Sequence, residues 1–391
     1  MIKVGIFIDT YYPMVNGVIS VVDNCAKRLQ GEDFEVTVFC PIHDKKYVDD
    51  FNYKVERCKS FKVFFLDYRA PIPRLDRAFL KALRESNLDI VHIHSAFALG
   101  SMATRYAKKH NIPAIATLHS QYKKDFYKTT HSKVITSILL KNAIKVFNRC
   151  DECFTVNNAV ADIFDEYGIK EHPAVIKNST NFTPVEDRET AVKKVNEIFN
   201  LPKDVPVFTF LGRIYALKNV YFLVDAMSKL KDKNYRLLMV GDGKDLPALK
   251  KYTKKLGLSE NIIFTGKITD QETLKGLFCR SKLFLFPSTY DANSIVQIEA
   301  ASQGLPTVFV DVAATANDII DGVNGFISKE TPEDYARKIE EILADEKLYQ
   351  TACEGAKRDI YRTWDKTVDE LKSVYTRLVS KNRKDKNIDD K

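Results

Sequence analysis

No stretch of this chain approaches the ~20 consecutive apolar residues that a helix needs to cross a bilayer. The opening run, Met1-Ile2-Lys3-Val4-Gly5-Ile6-Phe7-Ile8-Asp9, is short, ends in an acid and lacks the cleavage site of a secretory leader. The expected location is the cytoplasm, at most peripheral on the inner face of the cell membrane. No G-x-G-x-x-G occurs, which removes the usual dinucleotide fingerprint. No Asp-x-Asp occurs, which removes a common metal–diphosphate device, so neither a metal nor a cofactor is expected. There is no repeat of fixed period. The seven cysteines are odd in number and scattered. The pair Cys150 and Cys153 lacks the second pair that a zinc site needs and stands before an apolar run, so buried, reduced thiols are expected. The net charge of +8 is too dispersed to argue for nucleic acid, which is not an expected partner.

What is present fits two globular domains: 391 residues, 45% hydrophobic and 29% charged. Short apolar runs of strand length recur at 4–8, 36–39, 90–93, 114–118, 154–156 and 175–176. A second set lies at 207–210, 237–240, 262–264, 283–286 and 307–310. Continuous rather than alternating apolar strands belong to sheets covered on both faces, and helical stretches between them give parallel βαβ units. The chain therefore reads as an α/β protein with two facing Rossmann-like, doubly wound parallel-sheet domains, at 1–180 and 205–360. A polar, proline-containing linker spans 181–204, with one amphipathic helix in its neighbourhood. A helix at 361–380 closes the chain, and the charged segment 381–391 is expected to lack order.

Such sheets bind ligands beyond the carboxyl ends of their strands. After the first strand, Asn16-Gly17 opens a helix and lets a phosphate or sugar reach the backbone. After the strand at 114–118 stands His119, able to bond a sugar hydroxyl or assist proton transfer. His92 and His94 flank another strand end. After 207–210, Gly212-Arg213 and Lys218 set a forked and a point cation near a helix start, as a departing diphosphate requires. Gly241-Asp242-Gly243 makes a further turn, and the backbone from Gly266 to Ile268 suits a flat base. After 283–286, Asn293 is expected to cap a helix from Ser294 to Gln303, with Gly304 ending it. That aims the amides of Ser294, Ile295 and Val296 at a phosphate or sugar oxygen. Asp291 and Glu299 are the two acids of this segment, and Glu299, among apolar neighbours, needs a partner.

Gly212-Arg213 with Lys218, Gly241-Asp242-Gly243, Phe264-Thr265-Gly266, and Asp291 with seven residues before Glu299 resemble the donor half of the retaining GT-B glycosyltransferases of family 4. DTYYPMVNGV and VHIHSAFALG…IPAIATLHSQY resemble the acceptor half, nearest to members that glycosylate diacylglycerol or phosphatidylinositol. The resemblance implies a hexosyltransferase that uses a nucleotide sugar, UDP-glucose or similar, and a lipid or glycan acceptor. It implies Arg213 and Lys218 on the diphosphate, Glu299 on the ribose, Gly17 near the phosphates and His119 on the transferred sugar. Asp291 takes the place usually held by Glu beside the anomeric centre. The chain departs from the family pattern at Asp291, at Asn293-Ser294 where Phe-Gly is common, and at Leu217 where a Glu usually precedes the lysine. Synthesis of a surface polysaccharide is the alternative reading. A UDP-sugar epimerase and a non-catalytic binder on the same scaffold stand behind it.

Residues 121–149 carry Lys123, Lys124, Lys128, Lys133, Lys141, Lys145 and Arg149 against Asp125 alone. Val134, Ile135, Ile138, Leu139 and Val146 share a helical face. The expectation for that helix is an apolar face packed on the first sheet and a solvated lysine face. Tyr122, Phe126 and Tyr127, interleaved with Lys123, Lys124 and Lys128, are the candidates for contact with an anionic membrane.

Overall fold

The computed structural model describes residues 1–44, 46–63 and 68–389. The chain divides into two compact units. One comprises 1–178 and 364–391, the other 179–363.

The first unit holds a seven-stranded sheet with spatial order β3-β2-β1-β6-β7-β8-β9, parallel throughout. Its strands are β1 (Ile2–Phe7), β2 (Phe34–Pro41), β3 (Lys54–Cys58), β6 (Ile90–Ile93), β7 (Ala114–Leu118), β8 (Glu152–Thr155) and β9 (Ala174–Val175). A separate antiparallel hairpin is formed by β4 (Ser60–Val63) and β5 (Tyr68–Pro71). The helices are α1 (Gly17–Leu29), α2 (Arg77–Glu85), α3 (Ala98–His110), α4 (Tyr122–Thr130), α5 (Lys133–Phe147) and α6 (Asn158–Tyr167). The sheet is buried on both faces, as its unbroken apolar strands require: Val4, Ile6, Val36, Val38, Ile90, Ile93 and Ile115 are sealed from solvent.

The second unit holds a six-stranded parallel sheet, order β12-β11-β10-β13-β14-β15. The strands are β10 (Val207–Leu211), β11 (Arg236–Val240), β12 (Ile262–Gly266), β13 (Leu283–Leu285), β14 (Thr307–Val310) and β15 (Phe326–Ser328). Around them lie α7 (Arg188–Ile198), α8 (Val220–Lys229), α9 (Leu246–Lys255), α10 (Gln271–Arg280), α11 (Ile295–Ser302), α12 (Pro332–Ala344) and α13 (Glu346–Gly355). The helix expected near the linker is α7, which packs on α10 within the second unit. Strands β3, β4, β5 and β15 have no counterpart in the apolar runs: β3 and β4 are partly exposed, and β5 and β15 are only four and three residues long.

The last helix, α14 (Trp364–Asp389), belongs to the first unit. Trp364, Val368, Leu371 and Tyr375 are buried on it. It runs past the expected end at Ser380, and residues 381–389 are helical, which corrects the expectation of a tail without order; 390 and 391 lie outside the described residues. Side-chain bonds tie this helix to the first unit, one of them, from Arg383, within the extension. Arg383 reaches Asp89 at 2.8 Å, Arg377 grips Glu152 through two bonds of 2.7 Å, and the Thr367 hydroxyl donates to the Lys177 carbonyl.

All seven cysteines are free. Cys25, Cys40, Cys58 and Cys279 are buried as expected, whereas Cys150, Cys153 and Cys353 are half-buried.

Candidate functional site

In the second unit the turns after β10, β11 and β13 all lie at the carboxyl edge of the sheet, where a doubly wound fold binds its ligand. Two of these turns are keyed together through backbone. Gly241 sits at φ +135°, and a Cβ there would fall 1.9 Å from the Gly212 carbonyl oxygen; one on Gly243 would fall 2.4 Å from that of Ile214. Hydrogen bonds tie the same segments, from Gly212 N to Val240 O and from Ile214 N to Asp242 O. Gly241 is thus required by this close approach.

Arg213 is exposed in the turn after β10. Lys218 and Asp291 form an ion pair, so the cation assigned to a diphosphate and the acid assigned to a sugar meet each other. The second Asp291 oxygen accepts from the Ser288 hydroxyl at 2.5 Å. Asn219, in the left-handed region at φ 56°, donates to the Pro287 carbonyl at 3.1 Å and so fastens the Lys218 turn to the end of β13. The sequence held no signal for that role, because it depends on two turns 68 residues apart.

The helix after β13 begins one residue later than expected. Ser294, not Asn293, is the N-cap, in extended conformation and with no side-chain capping bond. The N–H groups of Ile295 and Val296 have no acceptor among the described residues, and Gln297 N–H donates to Ser294 O at 3.3 Å. An unsatisfied helix start with the positive dipole end behind it is a ready anion site. The helix ends at Ser302, one residue before the expected Gln303, and Gly304, φ +71°, follows its end as expected. Glu299 is half-buried on it, and its carboxylate has no partner among the described residues. Burial raises its pKa to about 7. Ile268, after β12, is half-buried against the core of this unit.

In the first unit a cavity of about 590 Å³ opens beyond the ends of β1, β6 and β7. Its walls include Asn16, Val18, His94, Phe97, His119, Tyr122, Phe126 and Leu139. Asn16 caps α1, its Oδ1 accepting from Ile19 N–H at 2.9 Å. Gly17 is exposed, and a Cβ there would meet nothing within 4 Å. Asp9, absent from the candidate residues, lies at the floor and ties strand to helix: it accepts from the Ser95 hydroxyl at 2.5 Å and from Leu99 N–H at 2.9 Å. Burial raises its pKa, against those hydrogen bonds. His119 leaves the end of β7, half-buried, with its Nε2 at 2.8 Å from His94 Nδ1. Burial lowers its pKa to about 4.

Two expectations for the basic segment are corrected. Tyr122 and Phe126 are buried against Phe147 and Phe97 and wall the cavity; of the three aromatics only Tyr127 is exposed. On α5 the residues packed inward are Thr136, Ala143, Ile144, Val146 and Phe147. Val134, Ile135, Ile138 and Leu139 instead face outward, Val134 70% and Ile138 56% exposed. The first half of α5 is therefore not the covered face that its pattern predicts. Among the described residues no helix is long and apolar enough to cross a membrane.

This pair of parallel sheets with ligand-ready carboxyl edges is the GT-B architecture, and comparison with known proteins agrees. Residues 15–182 match the model of Glycosyltransferase Family 4, and residues 192–359 match that of Glycosyl transferases group 1. The chain belongs with these glycosyltransferases, and its enzyme class is that of a hexosyltransferase. It is similar to the alpha-monoglucosyldiacylglycerol synthase of Acholeplasma laidlawii, 26% identical over 98% of each chain. The synthase of the same description from Streptococcus pneumoniae is 25% identical over 78% of this chain and 70% of that one. A solved structure of Anabaena HepE in complex with UDP and glucose superposes with a TM-score of 0.77 at 17% identity, covering 97% of this chain and all of that one.

Proposed function

We propose that this enzyme transfers glucose from UDP-glucose, with retention of anomeric configuration, to a membrane glycerolipid such as diacylglycerol. The observation that carries the lipid acceptor is the cavity of the first unit. Its walls include Phe126 and Leu139, and Leu139 continues into the exposed apolar stripe Val134, Ile135 and Ile138. Lys133 and Lys141 are exposed on the same helix, and Lys123, Lys124 and Lys128 on α4 beside it. Outward apolar side chains bordered by lysines suit the surface of an anionic bilayer, where each buried CH2 contributes ~0.8 kcal/mol and each basic residue ~1 kcal/mol. A soluble polymer acceptor gives no reason for that stripe. The two diacylglycerol-glucosylating relatives support the same acceptor, and the UDP and glucose bound by HepE support the donor.

In the second unit, Arg213, Lys218 and the free amides of Ile295 and Val296 supply positive charge for the diphosphate. Its negative charge grows as the bond from the anomeric carbon to the phosphate oxygen breaks, so these groups favour the transition state over the ground state. Lys218 starts out held by Asp291, and an arriving diphosphate competes for it. Glu299 takes ribose hydroxyls, Asn293 and Ser294 border the diphosphate at the helix start, and Gly241 and Ile268 line the nucleotide. In the first unit Asn16 and Gly17 present a helix start, and His119 bonds the sugar. The acceptor hydroxyl forms the new bond at the anomeric carbon and its proton leaves with the diphosphate. Labelled UDP-glucose incubated with vesicles of diacylglycerol and anionic phospholipid tests the reading. The expected product is an α-glucosyl lipid. Hydrolysis of UDP-glucose without lipid product, or transfer to a soluble glycan alone, overturns it.

A further inference from the structure

His94 and His119 follow neighbouring parallel strands: β6 ends at Ile93 and β7 at Leu118, with Ile93 paired to Ala116. Their rings stack at 5.1 Å with 15° between planes, and His94 Nδ1 lies 2.8 Å from His119 Nε2. His94 is 4% exposed, and its Nε2 is sealed from solvent with no partner. On its other side packs His92, whose nitrogens are both engaged, Nδ1 with the Tyr375 hydroxyl at 2.7 Å and Nε2 with the Thr117 hydroxyl at 2.8 Å.

A neutral imidazole carries one N–H. On His94 Nε2 that hydrogen would be a sealed donor without an acceptor, which native structures almost never tolerate; a sealed lone pair is tolerated better. A second proton on the ring would place a charge where burial opposes it, and burial indeed lowers the pKa of His94 well below the ordinary value. The hydrogen therefore sits on Nδ1 and is donated to His119 Nε2. That nitrogen must accept, so the hydrogen of His119 sits on Nδ1. The Nδ1 of His119 is not sealed and has no partner among the described residues, and His119 lines the cavity.

We infer that His94 is a positioning residue that locks His119 in the Nδ1–H tautomer, so that His119 meets an oxygen of the substrate only as a hydrogen-bond donor and not as a base. This refines the proposed role of His119, and its consequence for rate rests on that role; the tautomer itself does not. A base in this position would need a bare nitrogen facing the cavity, and the one lone pair of His119 is spent on His94.

The test has two arms. In the full chain labelled with 15N-imidazole, long-range 1H–15N spectra at pH 7 are expected to show His119 neutral, protonated at Nδ1 and bare at Nε2. A His119 protonated at Nε2, or at both nitrogens, overturns the inference without reference to activity. It also remains readable if the chain shows no glucosyl transfer, so failure of the proposed function and failure of this inference are distinguishable. In the second arm, His94→Leu removes the donor, whereas His94→Asn keeps an N–H near the Nδ1 position. With UDP affinity unchanged, kcat is expected to fall at least about tenfold in His94→Leu and to stay within about threefold of wild type in His94→Asn. Equal kcat in a folded His94→Leu variant and wild type overturns it. If the leucine variant does not fold, the wild-type spectrum alone decides.

Discussion

Glu299 carries a carboxyl whose pKa burial raises to about 7, so the folded protein holds a proton there that the unfolded chain releases near its ordinary value of 4.5. Between those two values the native state binds more protons than the unfolded one. Stability from this group is therefore present at low pH and is lost as pH rises toward 7. Glu299→Gln is expected to raise the melting temperature relative to wild type at pH 8 and to change it little at pH 5. Thermal unfolding at the two pH values measures this. If Glu299 takes ribose hydroxyls as a carboxylate, UDP must bind the ionised form. Binding is then expected to weaken below about pH 7 and to release a proton, which calorimetry in buffers of different ionisation enthalpy detects. Arg213→Ala is expected to lower glucosyl transfer tenfold or more, about the effect of removing one charge-stabilising donor, with the fold intact. Position beyond strand ends, where such sheets bind ligands, is what singled out Arg213, Lys218, Asp291, Glu299 and His119 as candidates in the sequence. What could not be read was who pairs with whom. The Lys218–Asp291 ion pair and the His94–His119 bond join residues from different βα turns, and spacing along the chain carries no information about that.

At the level of elements, α5 is the clearest case of a pattern with two meanings. Period 3.6 places Val134, Ile135, Ile138 and Leu139 on one side, but periodicity does not say whether protein or something else covers that side. Here inward packing is supplied by a different set, led by Ile144 and Phe147. Ile135→Ser combined with Ile138→Ser is expected to abolish flotation with anionic vesicles while leaving UDP binding unchanged. Loss of UDP binding in the same variant would instead mark α5 as structural. The strand positions followed closely from continuous apolar runs; 90–93, 114–118 and 307–310 coincide with β6, β7 and β14 residue for residue. The strands that escaped notice are edge or hairpin strands; β3 and β4 are largely half-exposed, where the apolar signal is weak, and β15 has only three residues. The end of α14 escaped notice because the bond that holds it, from Arg383 to Asp89, reaches far back in the sequence.

Across the whole molecule, the chain leaves the first unit at 178, builds the second, and returns at Trp364 to finish the first. Truncation before Trp364 is therefore expected to unfold the first unit, which loses Trp364, Leu371 and the Tyr375 bond to His92. The second unit should keep its melting transition and its shift with UDP, as scanning calorimetry would show. The keyed turns of that second unit have a different bearing. With a Cβ on Gly241 falling 1.9 Å from one neighbouring carbonyl and a Cβ on Gly243 falling 2.4 Å from another, the main chain of these two turns has almost no room to drift as sequences diverge. If the proposed donor site lies over these turns, a change in the nucleotide sugar accepted falls to side chains outside that lock, and the exposed Leu217 is the candidate. On that reading, the sugar changes by point substitution while the locked turns stay as they are.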